Sequence, residues 1–391
     1  ESISGFSCTG STVLEDIESL GKGVLLWRQL TQWYGGMGMI VLATAVLPRL
    51  GVGGLALMSA EAPGHKSDML RSTATKTAKT LWSVYFVTTL VIVLALWITP
   101  GPTLFDAVNH ALSTAATGGF STYNSSVGYF DSVAVEIILI AGMIFCALSF
   151  TLHYKVFVQR EKLAWVKSSE ARVFLSIVFF VGALVTLINL SDGLASFPTV
   201  FRDSMFNVVA LASSTGFGNV RADGIGDFVL WGSATQITLL FLMTIGGTTG
   251  STAGGMKVLR LQIGFKALRR ELRLFEHRKG VFPITMGREP ISDRIISSAL
   301  AFVALFITFV ILGTVAISAL GNDLLTSASG AISAMSNMGP ALGEAGPTSN
   351  YLSFSRPARS ILAFLMILGR LEIYAVLLML VAPANRILIR K

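Results

Sequence analysis

The chain has 391 residues, of which 52% are hydrophobic and only 13% charged, with a mean hydropathy of +0.68. Soluble domains carry about 25% charged residues, so this composition excludes an ordinary soluble domain. The net charge of +8 would suit a nucleic-acid binder, but its distribution argues against one.

Most of the Lys and Arg fall in four segments, 49–79, 155–172, 257–294 and 386–391. The other connections hold most of the acids, among them Asp106, Asp131, Asp203, Asp323 and Glu344. Basic loops stay on the cytoplasmic side of a membrane. The acidic connections then lie outside, where they concentrate cations. Between these segments run apolar blocks at 24–47 (interrupted by Arg28), 81–99, 133–152, 173–190, 228–245, 295–320 and 361–381. About 20 apolar residues span a bilayer core as a helix, so the blocks predict a polytopic α-helical membrane protein. Arg28 and His153 read as structural or interfacial residues. Cys8 and Cys146 imply no disulfide framework.

Taken in order, the elements repeat. The chain opens on SISGFSCTGSTVLED, which reads as the end of a short helix and its loop, followed by the span 24–47. The abrupt start predicts that further residues of this unit lie upstream. Next come the span 81–99, a short helix over 103–116 and the span 133–152. That short helix would be about 21 Å long, too short to cross. The plan recurs with 173–190, PTVFRDSMFNVVALASSTGFGNV and the span from 228. It recurs again with 295–320, NDLLTSASGAISAMSNMGPALGE and 361–381. The predicted division is a partial first repeat at 1–58, then repeats at 59–165, 166–285 and 286–391. The expected fold is all-α, with four membrane–pore-helix–membrane repeats around one central pore, the first incomplete.

Each short helix ends in a glycine loop: Cys-Thr-Gly10-Ser, Thr-Gly-Gly119-Phe, Ser-Thr-Gly216-Phe and Asn-Met-Gly339-Pro. The aligned glycines are spaced by 109, 97 and 123 residues. Non-helical backbone at membrane depth survives where it lines water or is buried in protein. Four such loops on one axis would present rings of carbonyl oxygens able to replace the hydration shell of a monovalent cation. The helix C-termini behind them favour positive charge. The candidate filter residues are Thr9, Gly10, Thr117, Gly118, Gly119, Thr215, Gly216, Asn337, Met338 and Gly339. Glycines can also serve close helix packing alone, but four loops in register on the acidic side favour an ion pathway. In three of the loops a hydroxyl residue lies within two positions of the glycine, while the fourth has Met338 and Pro340. The ring is not four-fold identical, which predicts weaker discrimination among alkali ions than a symmetric filter gives.

The block from 228 runs into TIGGTTGSTAGGMK at Thr244–Lys257, so the span should lose helical character near Gly246 and resume near Met256. This loop should sit just below the filter, in the aqueous path. A phosphate-binding loop would need Ser or Thr after the lysine, and Lys257 is followed by Val258. Arg370 lies well inside an apolar span, where a charge normally faces a cavity or a partner. Glu372 is two residues away and on another helical face, so the natural partners of Arg370 are carbonyls or hydroxyls of 246–255.

The stretches GGMGMIVLATAVLPRLGVGG, AEAPG at 60–64, TGGFST, STGFGN, GSTAGGMKVLR, SNMGPALGE and LGRLEIY run through nearly the whole chain. On these the sequence resembles the Trk/Ktr/HKT superfamily of potassium transporters, and is most similar to the bacterial Trk membrane subunit of the TrkH/TrkG type. The resemblance implies potassium uptake across the bacterial cytoplasmic (inner) membrane, with K⁺ (Rb⁺ or Na⁺ possible) at the filter carbonyls. It implies a gate made of Gly246, Gly247, Thr248, Thr249, Gly250, Ser251, Thr252, Gly254 and Gly255, joined by Arg370 as a positive barrier. It also implies a homodimer docked on a separate cytosolic TrkA-type ring, through which alone a nucleotide would act. The basic, amphipathic 257–294 segment fits that docking face and fits lipid headgroups equally.

Two other functions compete. Broken helices also occur in ion-coupled transporters with alternating access, such as an H⁺- or Na⁺-coupled symporter, but there they sit in inverted repeats, and these units share one orientation. A membrane enzyme lacks candidates, since His65, His110, His153 and His277 form no metal spacing and no nucleophile set faces a cavity.

Overall fold

The computed structural model describes residues 1–41, 74–278, 280–286, 289–374 and 376–377. The AEAPG motif at 60–64 and much of the basic segments 49–79 and 386–391 fall outside the described residues.

The helices are α1 (Ser2–Phe6), α2 (Lys22–Val41), α3 (Ala74–Trp97), α4 (Leu104–Ala116), α5 (Val133–Ala147), α6 (Phe150–Phe157) and α7 (Ala164–Lys167). They continue with α8 (Ser169–Ser191), α9 (Phe197–Ala212), α10 (Ser233–Ile245), α11 (Val258–Glu276), α12 (Asp293–Ser318), α13 (Leu324–Ser336) and α14 (Arg356–Arg370). Among the described residues the regular structure outside these α-helices is two short 3-10 helices, Ser126–Phe130 and Gly343–Ala345, and a minimal antiparallel pair, β1 (Thr285–Met286) with β2 (Glu289–Pro290).

The short helices start on deliberate caps. Thr103 caps α4 in a capping box with Asp106. The Asp323 carboxylate accepts the Thr326 N–H at the head of α13, and Pro198 occupies the first turn of α9. Each short helix then packs between long ones: α4 against α3 and α5, α9 against α8 and α10, α13 against α12 and α14, and α1 against α2.

Three described helices are long and apolar enough to cross a membrane, over Lys79–Trp97, Ser169–Ser191 and Asp293–Ser318. Only 28%, 33% and 22% of their apolar windows are buried, so most of that surface faces outward, as lipid contact requires. Phe86, Phe179, Phe180 and Ile311 lie on this outer face. The interior, by contrast, holds many small polar side chains. Ser113, Thr114, Ser213, Ser214, Thr215, Ser333 and Ser336 are fully buried.

Three expected spans need correction. The block 133–152 is not one straight span: α5 and α6 meet at a bend of 99°. The bend frees the Ala147 carbonyl and the Phe150 N–H, and both are satisfied by the distant 248–250 segment. The block 228–245 is helical only over the 13 residues of α10. Residues before it form a turn in which the Gln236 amide donates to the Val229 and Trp231 carbonyls. The block 361–381 is interrupted after Arg370, where Glu372 takes φ of +64°. Residue 375 and residues 378–391 fall outside the described residues.

Candidate ion-conducting site

The ends of α1, α4, α9 and α13 share one backbone design. In each, the residue two before the aligned glycine lies in the left-handed region: Cys8 (φ +54°), Thr117 (+51°), Ser214 (+55°) and Asn337 (+52°). The glycines follow with φ of +87°, +81°, +77° and +101° for Gly10, Gly119, Gly216 and Gly339. The residue between them closes the helix by donating its N–H five residues back. These bonds are Thr9 to Ser4, Gly118 to Ser113, Thr215 to Ala210 and Met338 to Ser333, at 2.8, 2.9, 2.9 and 3.0 Å. This is the hydrogen bond of a Schellman ending. Left-handed geometry is costly for Cys, Thr and Ser, and only surrounding structure can impose it in all three.

The four loops meet. A methyl group built on Gly10 would collide with the Gly118 carbonyl, one on Gly119 with the Thr215 carbonyl, and one on Gly216 with the Met338 carbonyl. One on Gly339 would lie 2.7 Å from the Thr9 carbonyl. The contacts run from first loop to second, third, fourth and back to the first. The predicted filter residues are therefore brought together, and a shallow cavity above them is lined by all four glycines, with Arg28, Asn124 and Tyr351.

Side chains remote in sequence hold this ring. Gln32 on α2 donates to the Gly118 carbonyl at 2.6 Å and accepts from the Phe120 N–H and the Ser113 hydroxyl at 3.2 and 2.8 Å. Asn337 donates to the Thr9 hydroxyl and the Met366 carbonyl. Arg28 is buried at the rim, 4.3 Å over the Phe120 ring, donating to the Ser121 carbonyl and paired with Glu1. Replacing Gln32 with Leu strands three buried polar groups and should lower stability by about 2 kcal/mol, read as a fall in thermal midpoint in detergent.

The helix break falls where the glycine run predicts it, between the end of α10 at Ile245 and the start of α11 at Val258. Backbone bonds from Met256 to Thr244 and from Lys257 to Ile245 pinch the base of the loop. Gly246 and Gly255 pass so closely that neither has room for a Cβ. The body of the loop lies against the C-terminal ends of α4, α9 and α13. The Thr252 hydroxyl is 3.1 Å from the Ala115 carbonyl and 3.3 Å from that of Cys146. Gly254 donates to the Ser214 hydroxyl at 2.6 Å and abuts the Ser336 carbonyl. Thr248 donates to Ala147 and the Gly250 carbonyl accepts from Phe150, joining the loop to the bend between α5 and α6.

Arg370 reaches this loop, donating to the Thr252 carbonyl at 2.8 Å, to Cys8 Sγ at 3.0 Å and to the Gly35 carbonyl at 3.2 Å. It thus ties α14 to the 246–255 loop and to the first glycine loop. Glu372 instead pairs with Arg260, which stacks 3.8 Å over Phe302. Sequence reasoning missed Gln32, Arg260 and Tyr351. A glutamine within an apolar block was the one available signal for the first. His153 is structural, accepting from the Trp165 indole.

A multi-pass helical protein whose short helices bring four glycine loops together against a further glycine-rich loop has the build of a cation-transport protein. The chain belongs to the TrkH family: the family model described as "TrkH: Cation transport protein" matches residues 1–387. The Trk system potassium uptake protein TrkH of Halomonas elongata is 38% identical over 97% of this chain and 77% of its own length. The protein of the same name from Escherichia coli K12 is 35% identical, with 97% and 77% covered. The crystal structure of the potassium transporter TrkH from Vibrio parahaemolyticus superposes with a TM-score of 0.85 at 32% identity, covering 96% of this chain and 76% of that one. These relatives are named as transporters, not enzymes.

Proposed function

We propose that this chain carries potassium into the cell through a gated, channel-like pore. The single observation that carries the reading is the closed cycle of glycine–carbonyl contacts among the four loops. Around it we place four membrane–pore-helix–membrane repeats, divided at 1–58, 59–165, 166–285 and 286–391. The main-chain oxygens near Thr9, Gly10, Thr117, Gly118, Gly119, Thr215, Gly216, Asn337, Met338 and Gly339 stand in for water around K⁺. The 246–255 loop and Arg370 form the gate. Its position under three filter helices supports that role, since an ion leaving the filter inward would meet it.

The working assembly we propose is a homodimer on a cytosolic TrkA-type nucleotide-binding ring. The exposed Phe265, Leu272 and Phe275 on the basic helix α11 support a surface that meets either that ring or the membrane interface. The test is K⁺ or Rb⁺ uptake into liposomes under an imposed potential, with and without the ring. Uptake that follows the potential without saturation supports the pore. Saturating uptake driven by a pH or Na⁺ gradient would replace it with coupled transport.

A further inference from the structure

The four filter glycines share a backbone, but their carbonyls do not share an environment. The Gly339 oxygen accepts from the Tyr351 hydroxyl at 2.6 Å, the Ser333 hydroxyl at 2.9 Å and the Ser11 hydroxyl at 3.2 Å. Among the described residues no donor lies on the carbonyls of Gly10, Gly119 or Gly216. A carbonyl oxygen has two lone pairs, so the Gly339 oxygen is saturated before any ion arrives.

Among the described residues no matching set of donors reaches the other three glycine carbonyls. Ser333 sits six residues before its glycine. The matching residues are Ser4, whose buried hydroxyl has no partner, Ser113, which is engaged by Gln32, and Ala210, which has no hydroxyl. Tyr351 is held in place independently. It is 4% exposed, its ring stacks on Phe354 at 5.2 Å, and its N–H donates to the Thr12 carbonyl at 2.8 Å.

We infer that Tyr351, with Ser333 and Ser11, is a specificity-determining group that takes one of the four outer filter oxygens out of the ion's coordination shell. The inference rests on the filter reading above. Discrimination between alkali ions arises when protein oxygens replace the hydration shell and the more strongly hydrated ion is not repaid. A ring with one engaged oxygen leaves water on the ion, and Na⁺ then escapes much of that penalty. The asymmetry foreseen from Met338 and Pro340 is thereby given an atomic cause in a residue outside the loop.

The experiment compares wild type, Tyr351→Phe and Ser333→Ala in proteoliposomes, reading the K⁺-to-Na⁺ permeability ratio from reversal potentials. Tyr351→Phe keeps the stacked ring and removes the shortest of the three hydrogen bonds on that oxygen, and the ratio should rise roughly fivefold, the weight of one hydrogen bond competing for the oxygen. Ser333→Ala should move it the same way, and carries the test alone if the tyrosine variant does not fold. A merely structural tyrosine would change the flux of both ions equally and leave the ratio fixed, which overturns the inference while the filter reading stands. A wild type that passes no alkali ion overturns both.

Discussion

Gly216→Ala should abolish most ion flux while leaving the protein in the membrane. The residue has φ of +77°, and its added methyl would press on the Met338 carbonyl and the Pro340 ring. Left-handed geometry alone costs an L-residue about 1–2 kcal/mol, which corresponds to roughly a tenfold loss if it falls on the conducting state. The carbonyl cannot yield cheaply, because it belongs to the neighbouring loop and its displacement propagates around the cycle. We therefore expect K⁺ uptake in proteoliposomes to fall by more than roughly tenfold. Gly321→Ala is the matched control. It also has a positive φ, +102°, but nothing lies within 4 Å of its Cβ position. Its uptake should match wild type. Equal loss in both variants would mean that backbone strain, not the meeting of the loops, decides conduction.

What could be read from the sequence divides along physical lines. The four loops were legible because glycine after a short helix is a local signal, and local backbone demands leave local traces. The break in the third unit was legible for the same reason, since TIGGTTGSTAGGMK cannot continue a helix favourably. The bend between α5 and α6 was not. Residues 133–152 form a largely apolar block, and what bends it is a donor and an acceptor at least 100 positions away, at Thr248 and Gly250. Gln32 and Tyr351 were hidden likewise. A buried amide or phenol advertises that it needs a partner, not which carbonyl it will find. The partners of Arg370 were foreseeable in kind, because a charge at that depth needs polar atoms and the glycine loop offers them. Its contacts with Cys8 and Gly35 became visible only once the first filter segment was seen to lie beside α14.

Arg370→Ala should raise passive flux. The side chain does two separable things at the mouth of the loop. It places a positive charge beside the Thr252 carbonyl, and it fastens the loop to α14 and to the first glycine loop. Two unit charges 4 Å apart at an effective dielectric of 20 interact by about 4 kcal/mol. A permeating cation keeps some water, and recovery of even about 1.4 kcal/mol would speed passage roughly tenfold. Arg370→Lys divides the two contributions. It retains the charge but lacks the planar fork that serves three acceptors at once. Flux near wild type in the lysine variant assigns the barrier to charge, and flux near that of alanine assigns it to the tether. Shortening the loop within 248–253 should act in the same direction. It also removes the partners of the Ala147 carbonyl and the Phe150 N–H at the bend, so its thermal midpoint must be read beside its flux. Unchanged uptake in both Arg370→Ala and a folded loop-shortened variant would remove the gate from this loop, because neither the charge nor the backbone it holds would then stand in the ion's way.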